Sequence, residues 1–225
     1  MPRRLPLLVA SLLLAGCSMT PGGLSAQQLR TSLPAAAEVG PGWTLVGTTT
    51  SRPTDSSWDD ALTEAAKDTS ACHDALLALE QAQEQPAPAR FARSIYRREA
   101  AGADSDRDLT LTLETFGTVP DRRAAIHAMT AACAEPMRLK AGVRTVTMIV
   151  RDHEDTAPGS VGYSVEYRTS GLSYSFDYLL ARREGALVSA STTGPSSAGN
   201  QDVLRRAVTL AGGNLERARG ATPTP

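Results

Sequence analysis

Lysine is nearly absent from this chain: of its 23 basic residues only Lys67 and Lys140 are lysines. An arginine bias of that depth is compositional and does not mark 21 separate guanidinium sites. Aromatic residues are equally sparse, with five tyrosines, three phenylalanines and two tryptophans in 225 residues. Positive charge is not in excess either, since 24 acidic residues leave a formal charge of −1. That balance argues against a nucleic-acid binder, which works by clustered phosphate-neutralising cations. No apolar run approaches the roughly 18 residues of a spanning helix.

Catalytic signatures are missing as well. There is no Gly-x-Gly-x-x-Gly, no Gly-x-x-x-x-Gly-Lys-Ser/Thr and no His-Glu-x-x-His. Around Ser160 the run Pro158-Gly159-Ser160-Val161-Gly162 lacks the glycine two places before the serine that a nucleophile elbow needs, so it reads as the start of a strand. His73, His127 and His153 fall in different elements without metal-ligand spacing. His127 is expected on a solvated helix face and His153-Glu154-Asp155 in an acidic turn. The doublets Arg97-Arg98 and Arg182-Arg183 read as solvated sheet margins. No cofactor, metal or catalytic residue is assigned, and the expectation is a protein that is not an enzyme.

What is present is concentrated at the N-terminus. Arg3 and Arg4 precede a ten-residue apolar segment, Leu5 to Leu14, broken by Pro6 and Ser11. This is the length of a secretory h-region. It ends in Leu14-Ala15-Gly16-Cys17, which resembles the lipobox of bacterial lipoproteins. That resemblance implies cleavage after residue 16, by the general or the twin-arginine route, and diacylglyceryl addition to the Cys17 thiol. Two or three acyl chains anchor stably where one holds only marginally. Losing Arg3 and Arg4 with the leader moves the formal charge from −1 to −3, so no polybasic membrane contact is expected. Residues 17–25 then form a lipidated flexible tether, 26–218 a single extracellular domain and 219–225 a disordered tail.

With Cys17 given to lipid, Cys72 and Cys133 remain. An even remainder in an exported chain favours a disulfide over two separately buried thiols. Ile126, Met129 and Cys133 share one helical face, which aims Cys133 inward.

Periodicity predicts helices over Gln27–Ser32, from Ser57 to about Gln85 with a break near Thr69-Ser70, over Asp121–Ala134, and over Asn200–Arg217. Strands are expected at Trp43–Thr50, Phe91–Glu99, Asp108–Phe116, Gly142–Asp152, Gly162–Arg168, Leu172–Arg182 and Ala186–Thr193. A hairpin turning at Ser170-Gly171 pairs residues whose numbers sum to 341: Tyr163 with Tyr178, Val165 with Phe176, Tyr167 with Tyr174. All three pairs share one face, and a slip of one residue would mix the faces. The other face carries Ser164–Asp177, Glu166–Ser175 and Arg168–Ser173. On one reading the aromatic face is core beneath helices and the charged face meets water. On a sharper one Tyr163, Tyr167, Tyr174 and Tyr178 line a ligand cleft. The fold class expected is α+β, one twisted, mainly antiparallel sheet of six to seven strands with helices packed against it.

Leu33-Pro34, Gly42-Trp43, a cysteine at a helix start, and the alanine-rich segment Ala124–Pro136 carrying Cys133 come in an order that resembles the PknH-like extracellular sensor domain of actinobacteria. The resemblance covers about residues 27–217. It implies a twisted sheet with a cleft for an unidentified extracellular ligand, and it brings no catalytic residues. Members on kinases carry two disulfides, whereas this chain has cysteines for one beside the anchor. The expected function is therefore a membrane-anchored, ligand-binding or sensing lipoprotein on the outer face of the cytoplasmic membrane. Its ligand would be a small molecule, a lipid or a cell-wall fragment. The alternatives are an envelope protein-interaction lipoprotein without a pocket, or a lipid carrier.

Overall fold

The structure is a computed structural model describing residues 23–52, 59–99, 106–141, 144–153, 159–195 and 199–220. The leader, Cys17, the cap at Ser57, the Glu154-Asp155 turn and the tail from 221 lie outside the described residues.

Helix α1 (Ala26–Ser32) opens on a capping box: Ser25 Oγ accepts from the Gln28 amide at 3.1 Å, and the Gln28 side chain accepts from the Ser25 amide at 2.9 Å. A single alanine-rich turn, α2 (Ala36–Val39), follows. It is too short to leave a periodic signal, and the sequence reading passed over it. Next come β1 (Trp43–Thr49), α3 (Asp59–Ala66), α4 (Ser70–Glu84), β2 (Arg90–Arg98) and β3 (Arg107–Thr115). The break expected near Thr69-Ser70 separates α3 from α4. Then follow α5 (Arg123–Ala132), β4 (Met137–Ala141), β5 (Arg144–Asp152), β6 (Ser160–Thr169), β7 (Leu172–Arg183), β8 (Ala186–Pro195) and α6 (Gly199–Gly220). The last helix runs two residues into the expected tail.

All eight strands form one antiparallel sheet, ordered β1-β2-β3-β8-β7-β6-β5-β4. The expected α+β class holds, with one more strand than the six to seven expected. The extra one is β4, which pairs with β5 from Met137↔Met148 to Ala141↔Arg144. Pro136 stops the preceding helix, and the five residues after it alternate too briefly to be read alone. The connection through α5 carries the chain from β3 to the far edge. A meander from β4 then returns until β8 closes against β3.

The predicted hairpin register is observed from Ser160↔Ala181 to Thr169↔Leu172. Gly162 sits at its tightest point: a Cβ there would lie 2.5 Å from the Tyr178 carbonyl oxygen and 3.0 Å from His153 Nδ1.

Helices cover both sides of the sheet. On one side α1, α2 and α6 bury Leu29, Tyr96, Leu109, Leu111, Leu113, Val188 and Leu204. On the other, α3, α4 and α5 bury Ile126, Met129, Met148, Tyr163, Val165 and Phe176. Cys72 in the first turn of α4 and Cys133 just after α5 are joined by a disulfide, both residues buried, their Cα atoms 4.8 Å apart. One expectation fails here. Ser175 and Asp177, placed on a water-facing side, are buried, Asp177 at 6% exposure, because α6 packs over β7 and β8 on that side. Strand alternation assigns faces correctly, but it does not say which faces helices cover.

Candidate functional site

The α3–α5 layer packs against β4, β5 and β6, so it covers only half of its side of the sheet. At its edge this layer reaches β3 and β8, through Arg122 at the start of α5, which joins Glu114 to the last turn of α4, and through buried Leu187. Beyond that edge, among the described residues, no helix packs closely on β1, β2, β3 and β8 on that side. Register fixes what this open half presents. Three rows cross it: Arg93–Thr112–Ser189–Leu180, Ile95–Thr110–Ser191–Tyr178, and Arg97–Asp108–Thr193–Phe176. Thr110, Ser189, Ser191 and Thr193 are half-buried. None of these hydroxyls, nor that of Thr112, takes a side-chain hydrogen bond among the described residues. Each hydroxyl offers one donor and two acceptor positions.

Two of the rows begin in a charge, Arg93 and Arg97, and two end in a ring, Tyr178 and Phe176. Arg97 grips Asp108 with two bonds, Nε to Oδ1 at 2.8 Å and Nη2 to Oδ2 at 3.0 Å. Toward the Phe91–Glu114 end of the same two strands stand three guanidinium groups and one carboxylate. Arg122 and Glu114 are 4% and 7% exposed at their side chains and meet at 2.8 Å. Arg122 spends its other nitrogens on the carbonyl oxygens of Ala82 (3.0 Å) and Gln83 (2.9 Å), which lie in the last turn of α4. Arg52 donates to the carbonyls of Gln83 and Glu84. Arg93 is different: its carbon Cζ lies 5.7 Å from the centre of the Phe91 ring, and its buried Nε has no hydrogen-bond partner. Burial, with the Arg52 charge, lowers the Arg93 pKa against the pull of Glu114.

The four expected ligand tyrosines all lie on this side, in different settings. Tyr163 is core, 2% exposed, its ring 5.3 Å from that of Tyr178 and 6.2 Å from that of Phe176. Tyr167 is half-buried against the same core. Tyr174, at 47% exposure, stands near the hairpin turn. Tyr178 borders the hydroxyl rows and stacks on Phe176 at 6.5 Å. Sequence reasoning did not single out Arg93 or the hydroxyl rows. The alternation Leu109/Thr110/Leu111/Thr112/Leu113/Glu114 displays half of the surface, but its continuation across β8 depends on a long-range pairing.

A second polar cluster lies buried on the opposite side, beneath the first turn of α6. Asn200 Nδ2 donates to Asp177 Oδ2 at 2.9 Å and to Ser175 Oγ at 3.1 Å, and Ser175 Oγ donates to Asp177 Oδ2 at 2.8 Å. His153 Nε2 stands 3.8 Å from Asp177 Oδ1 and, like Thr192 Oγ1, has no hydrogen-bond partner. His153, expected in a turn, is thus 9% exposed at the end of β5, its amide bonded to the Gly162 carbonyl. Ser175 and His153 both address one carboxylate, so these three residues form no serine–histidine relay. Burial pushes the His153 imidazole below its usual range against the attraction of Asp177 and Asp152. Burial therefore outweighs the ion pair, and the native imidazole is neutral.

The sign of the pH dependence follows. The unfolded chain takes up this proton below about pH 6.5, while the folded chain does so only at lower pH. His153 therefore removes stability as pH falls from about 6.5 toward its folded value. Thermal melts from pH 7.5 to 5 are expected to fall more steeply for the parent than for His153→Gln; parallel curves would contradict the assignment. His127 stays solvated as expected, with Nδ1 3.4 Å from Asp152 Oδ2.

No protein-family model and no curated protein matches the sequence. Among solved structures, the extracellular domain of PknH from Mycobacterium tuberculosis is similar, with a TM-score of 0.55 and 10% identity over 88% of this chain and 97% of that one. At that identity the likeness is one of fold. No helix among the described residues is long and apolar enough to cross a membrane.

Proposed function

We propose that this chain is an exported lipoprotein, held by acyl chains on Cys17 at the outer face of the cytoplasmic membrane, whose domain binds or senses a ligand without transforming it. The observation that carries the reading is the half-covered sheet. It presents a two-strand stripe of uncommitted hydroxyls, flanked by guanidinium groups and by the Tyr178 ring. A sheet side left polar and half-exposed beside a packed helical layer offers convergent hydrogen-bonding groups of the kind that orient a ligand. The likeness to an extracellular domain supports the address that the leader and lipobox suggest.

An interaction surface is the second reading, favoured by Leu45 and Val46. Both are exposed at the bulge of β1, the outermost strand, where a partner strand could pair. Native mass spectrometry of protein taken from its own envelope separates the two. A reproducible bound mass below about 2 kDa supports ligand binding, and its absence together with a co-purifying chain supports the surface. For the anchor, Cys17→Ala is expected to move the protein out of the membrane fraction. Unchanged fractionation would overturn the lipoprotein reading.

A further inference from the structure

The open half of the sheet carries an imbalance of charge that its folding does not explain. Arg52, Arg93 and Arg122 gather about the single carboxylate of Glu114, leaving two positive charges in excess. Arg122 and Arg52 are engaged by Glu114 and by the carbonyls ending α4. Arg93 has no carboxylate of its own. A half-buried guanidinium whose nearby carboxylate, Glu114, is already paired to Arg122 is costly in a domain of marginal stability, and an anion arriving from solution offsets that cost. Its neighbour in the row is the hydroxyl of Thr112, with that of Ser189 beyond it and those of Thr110 and Ser191 in the next row.

We infer that Arg93 is the anion-binding end of this surface, and that the ligand class it fits is a sugar or polyol carrying a phosphate monoester. The inference rests on the ligand-binding reading given above and deepens it. A phosphate monoester carries between one and a half and two negative charges, which matches the local excess better than a carboxylate does. The planar fork of a guanidinium takes two phosphate oxygens at once. The ligand's own hydroxyls then meet Thr112, Ser189, Thr110 and Ser191, which exchange hydrogen bonds in either direction. Tyr178 closes the far end of the stripe.

The test uses the full lipidated chain held in phosphatidylcholine vesicles and titrated with labelled glucose 1-phosphate. Saturable binding is expected, weakened at least tenfold by Arg93→Gln and less by Arg93→Lys, which keeps the charge but loses the fork. Thr112→Val with Ser191→Ala is expected to weaken glucose 1-phosphate several-fold while leaving inorganic phosphate unaffected. Adding phosphatidylinositol 4-phosphate to the bilayer separates two sources of the same chemistry. Competition assigns the polyol phosphate to a lipid headgroup, no competition assigns it to a free ligand, and either supports the inference. Equal binding by the parent and Arg93→Gln overturns it. If glucose binds as well as its phosphate and Arg93→Gln changes nothing, the anion inference fails while the binding surface stands. If no probe shifts the amide resonances of β3 and β8, both fail.

Discussion

Replacing Cys72 and Cys133 together by alanine is expected to lower the unfolding free energy by about 4 kcal/mol. The two residues are 61 positions apart. Cross-linking them removes from the unfolded chain the freedom of a loop of that length, and the chain-entropy relation converts this to the figure given. Small domains are stable by only about 5–15 kcal/mol, so the loss would take a large share of the whole. It also acts where no other element can compensate. Cys72 begins α4 and Cys133 follows α5, and these helices, with α3, form the single layer on that side of the sheet. The measurement is urea denaturation of the double variant against the parent. A difference under about 1 kcal/mol would mean that packing of Ile126, Met129 and Leu76 holds the layer without the bond.

How much of this was legible in the sequence depends on how far apart in the chain the cooperating residues lie. The register of the hairpin was readable to the residue, though its strands run slightly beyond Gly162–Arg168 and Leu172–Arg182, because register is fixed locally: a two-residue turn and an aromatic face that any slip would break. The Cys72–Cys133 link was readable because the lipobox-like run ending in Cys17 sets that cysteine apart and leaves one pairing. The short elements were not: α2 and β4 have four and five residues, less than the window a period needs. Nor was the return of β8 to β3, which brings Ser189 beside Thr112 from the far end of a helix and a meander. The candidate surface is a product of that closure, so its charged end stayed hidden while its aromatic end was visible. The same cause buried Asp177 and His153: α6 returns over the hairpin from the far end of the chain.

Arg122→Met is expected to cost about 3–5 kcal/mol, comparable to losing the disulfide. The substitution keeps the apolar stem of the side chain and removes the guanidinium, so the loss is mainly one of polar pairing. It strips Glu114 of its 2.8 Å partner in a setting where the carboxylate cannot regain water. It also frees the carbonyl of Ala82 at the end of α4, while that of Gln83 keeps its bond from Arg52. One change thus strands a buried carboxylate and leaves a part-buried carbonyl without its donor, and unpaired burial is the expensive case. Guanidinium denaturation should show the loss. The double variant Arg122→Met/Glu114→Gln should recover part of it, since removing both charges costs less than stranding one. A single variant within about 1 kcal/mol of the parent would mean that Arg93 turns to Glu114 and takes over the pairing. That outcome has a consequence at the surface: an Arg93 committed to Glu114 is no longer available to an anion. Stability and binding then draw on the same carboxylate, and Arg122, by occupying it, is what keeps Arg93 uncommitted.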